Sequence, residues 1–125
     1  MAALTKLGLA QFLTPACFQK QPELVDELYE LFMAGVQPAR TYVAQNLACE
    51  AHDVCDRLSS ISAETLILVG SRDAQTTVGA AKEMAARIPR NQLVILRGLG
   101  HGFMWEDPVL YNRAVLDFLL GRDVN

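Results

Sequence analysis

Apolar residues recur at helical spacing through the first half of the chain. Within residues 22–33 and again within 38–50 they lie three or four positions apart, which is typical of amphipathic helices. Pro22 suits the first turn of a helix, whereas the dipeptide Thr14-Pro15 indicates a loop. The residues predicted to face inward are Leu24, Leu28, Leu31 and Phe32 in the first helix, and Tyr42, Val43 and Leu47 in the second.

Short apolar runs alternate with helical segments in the second half. Residues 66–69 and 93–96 are continuous apolar runs, typical of strands that are buried on both faces. Residues 78–88 show helical spacing, and a last helix begins where Asp107 caps it and Pro108 occupies its first turn. The order strand, helix, strand, helix is that of a parallel pair joined by a right-handed crossover. The pattern therefore predicts an α/β fold.

Length, charge and cysteine content exclude several classes of protein. The 125 residues fit one small domain, and a net charge of −3 offers no basic surface for nucleic acid or for a membrane. No apolar run approaches the roughly 20 residues that a membrane-spanning helix needs, and the N-terminus does not have the pattern of a signal peptide. The three cysteines cannot all pair and match no zinc motif. We expect a cytoplasmic protein with free thiols and with neither metal nor cofactor.

Two polar groups follow the two predicted strands. Asp73 ends the segment 70–73 after the first strand, and His101 lies in the glycine-rich segment 97–102 after the second. Because parallel strands end at the same edge of a sheet, these two side chains can be neighbours. A carboxylate beside a neutral imidazole fixes its tautomer and stabilises the imidazolium formed on proton transfer. A turn or capping aspartate and a structural histidine remain the alternatives.

The stretch 61–119 resembles the terminal part of the α/β-hydrolase family. That family has I-x-x-P-T-L leading into a strand that ends V-G-x-x-D, then I-P, G-x-G-H, E-x-P and F-L. This chain has, in the same order, ISAETL, VGSRD, IP, GLGH, EDP and FL, with Glu64 in place of the usual proline. Within that family, the sequence most resembles serine hydrolases similar to enol-lactonases and carboxylesterases. The resemblance implies the C-terminal part of an α/β-hydrolase fold: two parallel strands with crossover helices, and a helical cap segment.

The resemblance also implies roles for particular residues. Asp73 becomes the acid and His101 the base of a catalytic triad that acts on a small-molecule substrate. The chain divides into a helical cap or lid segment, 1–52, and a C-terminal core segment, 53–125. Both implications are expectations for the structure and for experiment.

Three bulky residues follow the histidine in sequence. Phe103 and Trp105 are candidates for lining a substrate pocket beside His101. Packing beneath the last helix is the alternative, since buried aromatic side chains contribute most to cores.

The nucleophile motif of the family occurs nowhere in the sequence. In that family G-x-S-x-G forms a sharp strand-to-helix turn, and its neighbouring backbone N–H helps to form the oxyanion hole. The resemblance implies that both features lie upstream of Met1. Ser71 and the three serines before the first strand are not on a sharp turn that opens a helix, and the cysteines are no better placed.

Two functions of different classes remain open. The first is a partial hydrolase that supplies the acid and base of a Ser-His-Asp triad for hydrolysis of a small ester, lactone or C–C bond. The second is a non-catalytic, truncated or diverged hydrolase-like module that acts by association. Both predict a partner chain, because the first strand would otherwise have an open apolar edge. That partner is the missing N-terminal hydrolase half or a second copy of the chain.

Overall fold

Helices form the first half of the chain, and a strand–helix–strand unit followed by two helices forms the second. The structure, a computed structural model, describes residues 8–35 and 38–124. Its elements are α1 (Pro15–Lys20), α2 (Pro22–Ala34), α3 (Ala39–Glu50), a 3₁₀ helix (Cys55–Ser60), β1 (Thr65–Gly70), α4 (Val78–Arg87), β2 (Asn91–Leu96), α5 (Phe103–Glu106) and α6 (Pro108–Leu119).

The two strands pair in parallel, as the order of elements predicts. Ile67 lies opposite Leu93 and Gly70 opposite Leu96, and α4 makes the crossover between the strands. Within the described residues β1 and β2 form a two-stranded sheet. Because the strands run in the same direction, the loops that follow Gly70 and Leu96 leave from the same edge.

Capping residues mark the ends of the helices around the sheet. The Thr77 side chain accepts a hydrogen bond from the backbone N–H of Ala80 at the start of α4. Asp107 does the same for Leu110 at the start of α6, which confirms the predicted cap. Gly121 follows α6 with φ of 66°, the left-handed conformation that glycine adopts without strain.

Two apolar clusters form the core. One lies among the N-terminal helices, and the other lies between β1, α4 and the 3₁₀ helix. The first consists of Leu9, Leu13, Cys17, Val25 and Leu28, and the second of Leu58, Ile67, Val69, Ala81 and Ile88.

The inward face predicted for α2 is partly wrong. Leu28 is buried and Leu24 is half-buried, but Leu31 is 64% exposed and Phe32 is 40% exposed. Val25 is buried instead. The apolar residues of α2 cover a wide arc, and packing against α1 selects the part of that arc that contains Val25 and Leu28.

The inward face predicted for α3 is wrong. Tyr42, Val43 and Leu47 are 53% to 60% exposed, and α3 has no buried residue. Periodicity shows which side chains share a helix face, but burial of that face requires a packed neighbour.

The loop predicted at Thr14-Pro15 is the start of a helix. Thr14 is the N-cap of α1, with its side-chain oxygen accepting from the backbone N–H of Cys17, and Pro15 occupies the first turn. Proline fits there because the first turn has no intrahelical partner for its backbone N–H.

Burial of both strands on two faces was also predicted, and the structure corrects it. Ile67 and Val69 are buried, whereas Leu66 and Leu68 are half-buried and Ile95 is 39% exposed. In this sheet of two strands each strand lies at an edge, so no further strand among the described residues covers its outer side.

Among the described residues, no helix has the length and apolar character needed to cross a membrane. The N-terminal residues on which the signal-peptide prediction rests lie outside the described residues. The division into segments 1–52 and 53–125 stays a prediction.

Candidate active site

The loop after β1 wraps around the carboxylate of Asp73. Its Oδ1 accepts hydrogen bonds from the backbone N–H groups of Gln75, at 2.8 Å, and Thr76, at 2.9 Å. Its Oδ2 accepts one from the Thr76 hydroxyl at 2.8 Å. The side chain of Asp73 is wholly inaccessible to solvent. Such local bonds from the following residues are typical of an aspartate in a turn, and they fix the direction of the carboxylate.

His101 lies against the same carboxylate. Its Nδ1 is 2.9 Å from Asp73 Oδ2 and 3.3 Å from the Thr76 hydroxyl oxygen. Because the Thr76 proton is donated to Asp73 and a carboxylate only accepts, Nδ1 carries the hydrogen and donates it to Oδ2. The Nε2 atom then keeps a free lone pair, on a side chain that is 31% exposed. The proximity predicted from the two strand ends is thus observed.

The pKa of Asp73 lies below its ordinary value of 3.8 although the carboxylate is buried. Burial alone raises the pKa, because desolvation disfavours the charged form. The hydrogen bonds from the His101 ring, the Thr76 side chain and the two backbone N–H groups together outweigh it. Asp73 is therefore ionised at neutral pH and suited to stabilise a positive charge on the imidazole.

The two strand-end loops approach each other closely. A Cβ at Gly70 would lie 2.3 Å from the carbonyl oxygen of Gly100 and 2.4 Å from that of Leu99, so only glycine fits there. The Ser71 hydroxyl accepts a hydrogen bond from the backbone N–H of Gly98 at 2.8 Å. Ser71 therefore ties the acid loop to the histidine loop.

Sequence reasoning missed a buried polar pair behind the histidine. The Glu106 carboxylate accepts from the backbone N–H of Thr14 at 2.8 Å, from the Thr14 hydroxyl at 2.7 Å and from the backbone N–H of Gly100 at 3.3 Å. Glu106 is noticeable in the sequence only as part of E-x-P, and Thr14 only as a residue before proline. Neither signal connects the two positions.

Comparison with known proteins shows the family of this chain. A family model of α/β-hydrolases, described as TAP-like protein, matches residues 38–124. The chain belongs to the α/β-hydrolase family. The predicted fold class, the C-terminal part of that fold, is confirmed by solved hydrolase structures that cover nearly all of the chain.

Two curated relatives of this chain are hydrolases of 2-hydroxy-6-oxo compounds. It is 39% identical over 103 residues to 2-hydroxy-6-oxononadienedioate/2-hydroxy-6-oxononatrienedioate hydrolase 2 of Pseudomonas putida, matching 78% of this chain and 36% of that protein. It is 32% identical over 105 residues to 2-hydroxy-6-oxo-6-phenylhexa-2,4-dienoate hydrolase of Burkholderia cepacia, matching 79% of this chain and 37% of that protein.

Two solved structures show the same fold. The enol-lactonase of Burkholderia xenovorans LB400 has a TM-score of 0.84 at 22% identity, over 96% of this chain and 45% of that one. An esterase of Thermogutta terrifontis has a TM-score of 0.82 at 24% identity, over 95% and 43%. The chain thus spans between about a third and a half of the length of these proteins.

The two remaining candidate residues, Phe103 and Trp105, pack against different parts of the chain. The Phe103 ring lies 5.9 Å from the Tyr111 ring of α6, measured between centroids. The Trp105 ring lies 6.5 Å from that of Phe12 and packs on the N-terminal cluster. Substrate binding by Phe103 and Trp105 stays a prediction. Within residues 8–35 and 38–124 no group of three or more His, Cys, Asp or Glu side chains could hold a metal ion.

Proposed function

We propose that this chain supplies the acid, Asp73, and the base, His101, of a Ser-His-Asp triad for hydrolysis of a small ester, lactone or C–C bond. The observation that carries the proposal is the 2.9 Å contact between His101 Nδ1 and Asp73 Oδ2. This contact leaves Nε2 as the proton acceptor at the loop edge of the sheet. A serine from a G-x-S-x-G turn, outside these 125 residues, is the nucleophile.

The geometry suits two proton transfers. His101 Nε2 takes the proton of the serine hydroxyl while the serine oxygen bonds to the substrate carbonyl carbon. The ionised Asp73 stabilises the imidazolium, which then gives its Nε2 proton to the leaving group. Water repeats the sequence: Nε2 takes its proton, its oxygen attacks the acyl carbon, and the proton returns to the serine oxygen.

The relatives narrow the substrate class. Those named above hydrolyse 2-hydroxy-6-oxodienoates, and one solved structure is an enol-lactonase. These substrates contain a reactive carbonyl carbon, which is the atom that a serine oxygen attacks. We therefore propose a small carbonyl compound as the substrate of the assembled enzyme.

The open edge of β1 is the proposed docking position of the partner chain. A groove of about 330 Å³ lies along this strand, and Leu66, Leu68 and Met84 contribute to its lining. Leu66 and Leu68 are half-buried. An added strand would bond to the unpaired backbone and cover these side chains. We propose that an N-terminal hydrolase portion adds this strand, with a second copy of the chain as the competing occupant.

A chimera tests the proposal. In it, this chain replaces the matched segment of the Pseudomonas putida relative, so that both parts of a hydrolase are present. We expect hydrolysis of p-nitrophenyl acetate by the chimera and none above the imidazole background by the 125-residue chain alone. His101→Gln in the chimera is expected to lower kcat by about 10³-fold or more, and Asp73→Asn by about 10²–10⁴-fold.

The other histidine gives a matched control. His52 is exposed, and His52→Gln is expected to leave the rate unchanged. A chimera as active with His101→Gln as without it would contradict the assigned base. A chimera that folds and hydrolyses nothing would favour the non-catalytic module.

A further inference from the structure

Three aromatic rings from distant parts of the sequence meet, and one of them contacts His101. The Phe12 ring centroid lies 5.7 Å from that of His101 and 5.6 Å from that of Phe32. Trp105 completes the group, 5.9 Å from Phe32 and 6.5 Å from Phe12, with edge-on ring planes of 78° and 70°. We call Phe12, Phe32 and Trp105 the aromatic wall.

The backbone beside the histidine holds Phe12 in place. The Phe12 carbonyl oxygen accepts a hydrogen bond from the backbone N–H of Gly102 at 2.6 Å. A Cβ at Gly100 would lie 2.8 Å from the same oxygen, so the two backbones are in direct contact. Two residues later, Thr14 is fastened by the buried Glu106 carboxylate. The backbone that carries the Phe12 ring is therefore fixed relative to the histidine loop before any ligand arrives.

The aromatic wall combines a packed side with an accessible one. Phe12 and Trp105 are partly buried against the N-terminal cluster, whereas Phe32 is 40% exposed. The half-buried Phe12 ring is the one that contacts the imidazole, whose Nε2 is free because Nδ1 is used by Asp73.

We propose that the aromatic wall is a subsite for a planar unsaturated ring, so that the preferred substrate has an aryl group close to its scissile carbonyl. This inference extends the proposed function and rests on it, because the bound aryl compound is a substrate only if the assembled enzyme hydrolyses it. Aromatic rings attract one another at tilted or edge-on angles with centroids about 4.5–7 Å apart, beyond the effect of apolar burial. The rings of the wall already adopt such angles with each other, and Phe12 does so with His101.

Trp105 reports directly on occupation of the wall, because it is the chain's single tryptophan. The full chain is titrated with benzyl alcohol and with cyclohexylmethanol while its fluorescence is recorded. Cyclohexylmethanol is more apolar than benzyl alcohol, so a surface that binds only by apolar burial would bind cyclohexylmethanol more tightly. The aryl subsite predicts the reverse order, with benzyl alcohol bound about 2- to 10-fold more tightly.

Variants connect the signal with particular rings. Phe32→Leu and Phe12→Leu are expected to abolish the preference for benzyl alcohol. Phe118→Leu, in α6 at the opposite edge of the sheet, is the matched control and should keep it. Thermal melts followed by circular dichroism verify that each variant folds. If Phe12→Leu does not fold, the binding preference of Phe32→Leu, at an exposed position, decides the test.

Tighter binding of the saturated ring, the absence of a saturable change, or an unaltered preference in Phe32→Leu would overturn the subsite. These results do not depend on a nucleophile, so they are separable from failure of the proposed function. In the chimera, p-nitrophenyl phenylacetate should exceed p-nitrophenyl cyclohexylacetate in kcat/KM. An active chimera without that preference rejects only the subsite, and an inactive chimera whose probe preference persists rejects only the triad.

Discussion

Thr14 and Glu106 lie 92 residues apart in sequence and are joined by two hydrogen bonds, of 2.8 Å from the Thr14 backbone N–H and 2.7 Å from its hydroxyl. Both residues are buried. Glu106 also accepts from the backbone N–H of Gly100, next to His101. One carboxylate therefore fastens the start of α1 to the loop that holds the histidine.

Removal of the Thr14 hydroxyl should destabilise the fold. In Thr14→Val the buried Glu106 loses a donor and α1 loses its N-cap, which together are expected to cost about 2–4 kcal/mol of unfolding free energy. Urea denaturation measures this. The matched control is Thr41→Val on the exposed α3, expected to stay within about 0.5 kcal/mol. Equal effects of the two variants would show that the buried pair contributes little.

The contribution of Asp73 to stability should vanish in acid. The pKa of Asp73 is lowered in the folded state, so the unfolded chain takes up a proton first as the pH falls. Its stabilisation is therefore complete above the ordinary value of 3.8 and is lost as the pH falls through the lower folded value. Urea denaturation of the wild type and Asp73→Asn should give a constant difference from about pH 7 to 5 and a shrinking one below about pH 4. A difference that grew in acid would contradict the lowered pKa.

The contact between the strand-end loops makes Gly70 intolerant of a side chain. Gly70→Ala would bring a Cβ within 2.4 Å of two backbone oxygens, and we expect a loss of about 1–3 kcal/mol of unfolding free energy. Gly79→Ala is the control, because its Cβ would meet nothing nearer than 3.5 Å in α4. That variant should be neutral or more stable by up to about 1 kcal/mol. Chemical denaturation of both variants provides the comparison.

The three cysteines should differ in reactivity. Cys17 is 2% exposed, and burial, with a smaller contribution from the Glu106 carboxylate, raises the pKa of its thiol. The pKa of the Cys55 thiol is also raised, by the Asp53 side chain, but Cys55 and Cys49 are exposed and Cys17 is buried. DTNB should therefore react with Cys49 and Cys55 in the folded chain and with Cys17 only on unfolding. Cys17→Ser should remove the slow phase alone. Reaction of all three thiols at a single rate would contradict this placement.

The open edge of β1 should make the isolated chain associate. Light scattering is expected to show a mass that rises with concentration, because the unpaired strand can bond to another chain. Leu68→Lys places a charge on the half-buried face of β1 and should reduce association. Leu116→Lys, at a 57% exposed position on α6, should not. A wild-type chain that stays monomeric at every concentration would refute the role of the edge.

The sequence by itself determined the order of the elements and the meeting of Asp73 with His101. Apolar runs and caps such as Asp107 act within a few residues, so they can be recognised locally. Two neighbouring strands joined by one crossover helix are expected to run in parallel, as these do, and parallel strands end at one edge. The chain order therefore predicts that the acid and the base lie next to each other.

Only the tertiary structure decided what packs against these loops. Helical spacing predicted that Tyr42, Val43 and Leu47 share a face, yet that face is exposed because no described element packs on it. The hydrogen bonds between Thr14 and Glu106 depend on how the N-terminal helices dock. Local propensity contains no information about pairs so far apart in sequence, since their contact is selected by the packing of whole elements.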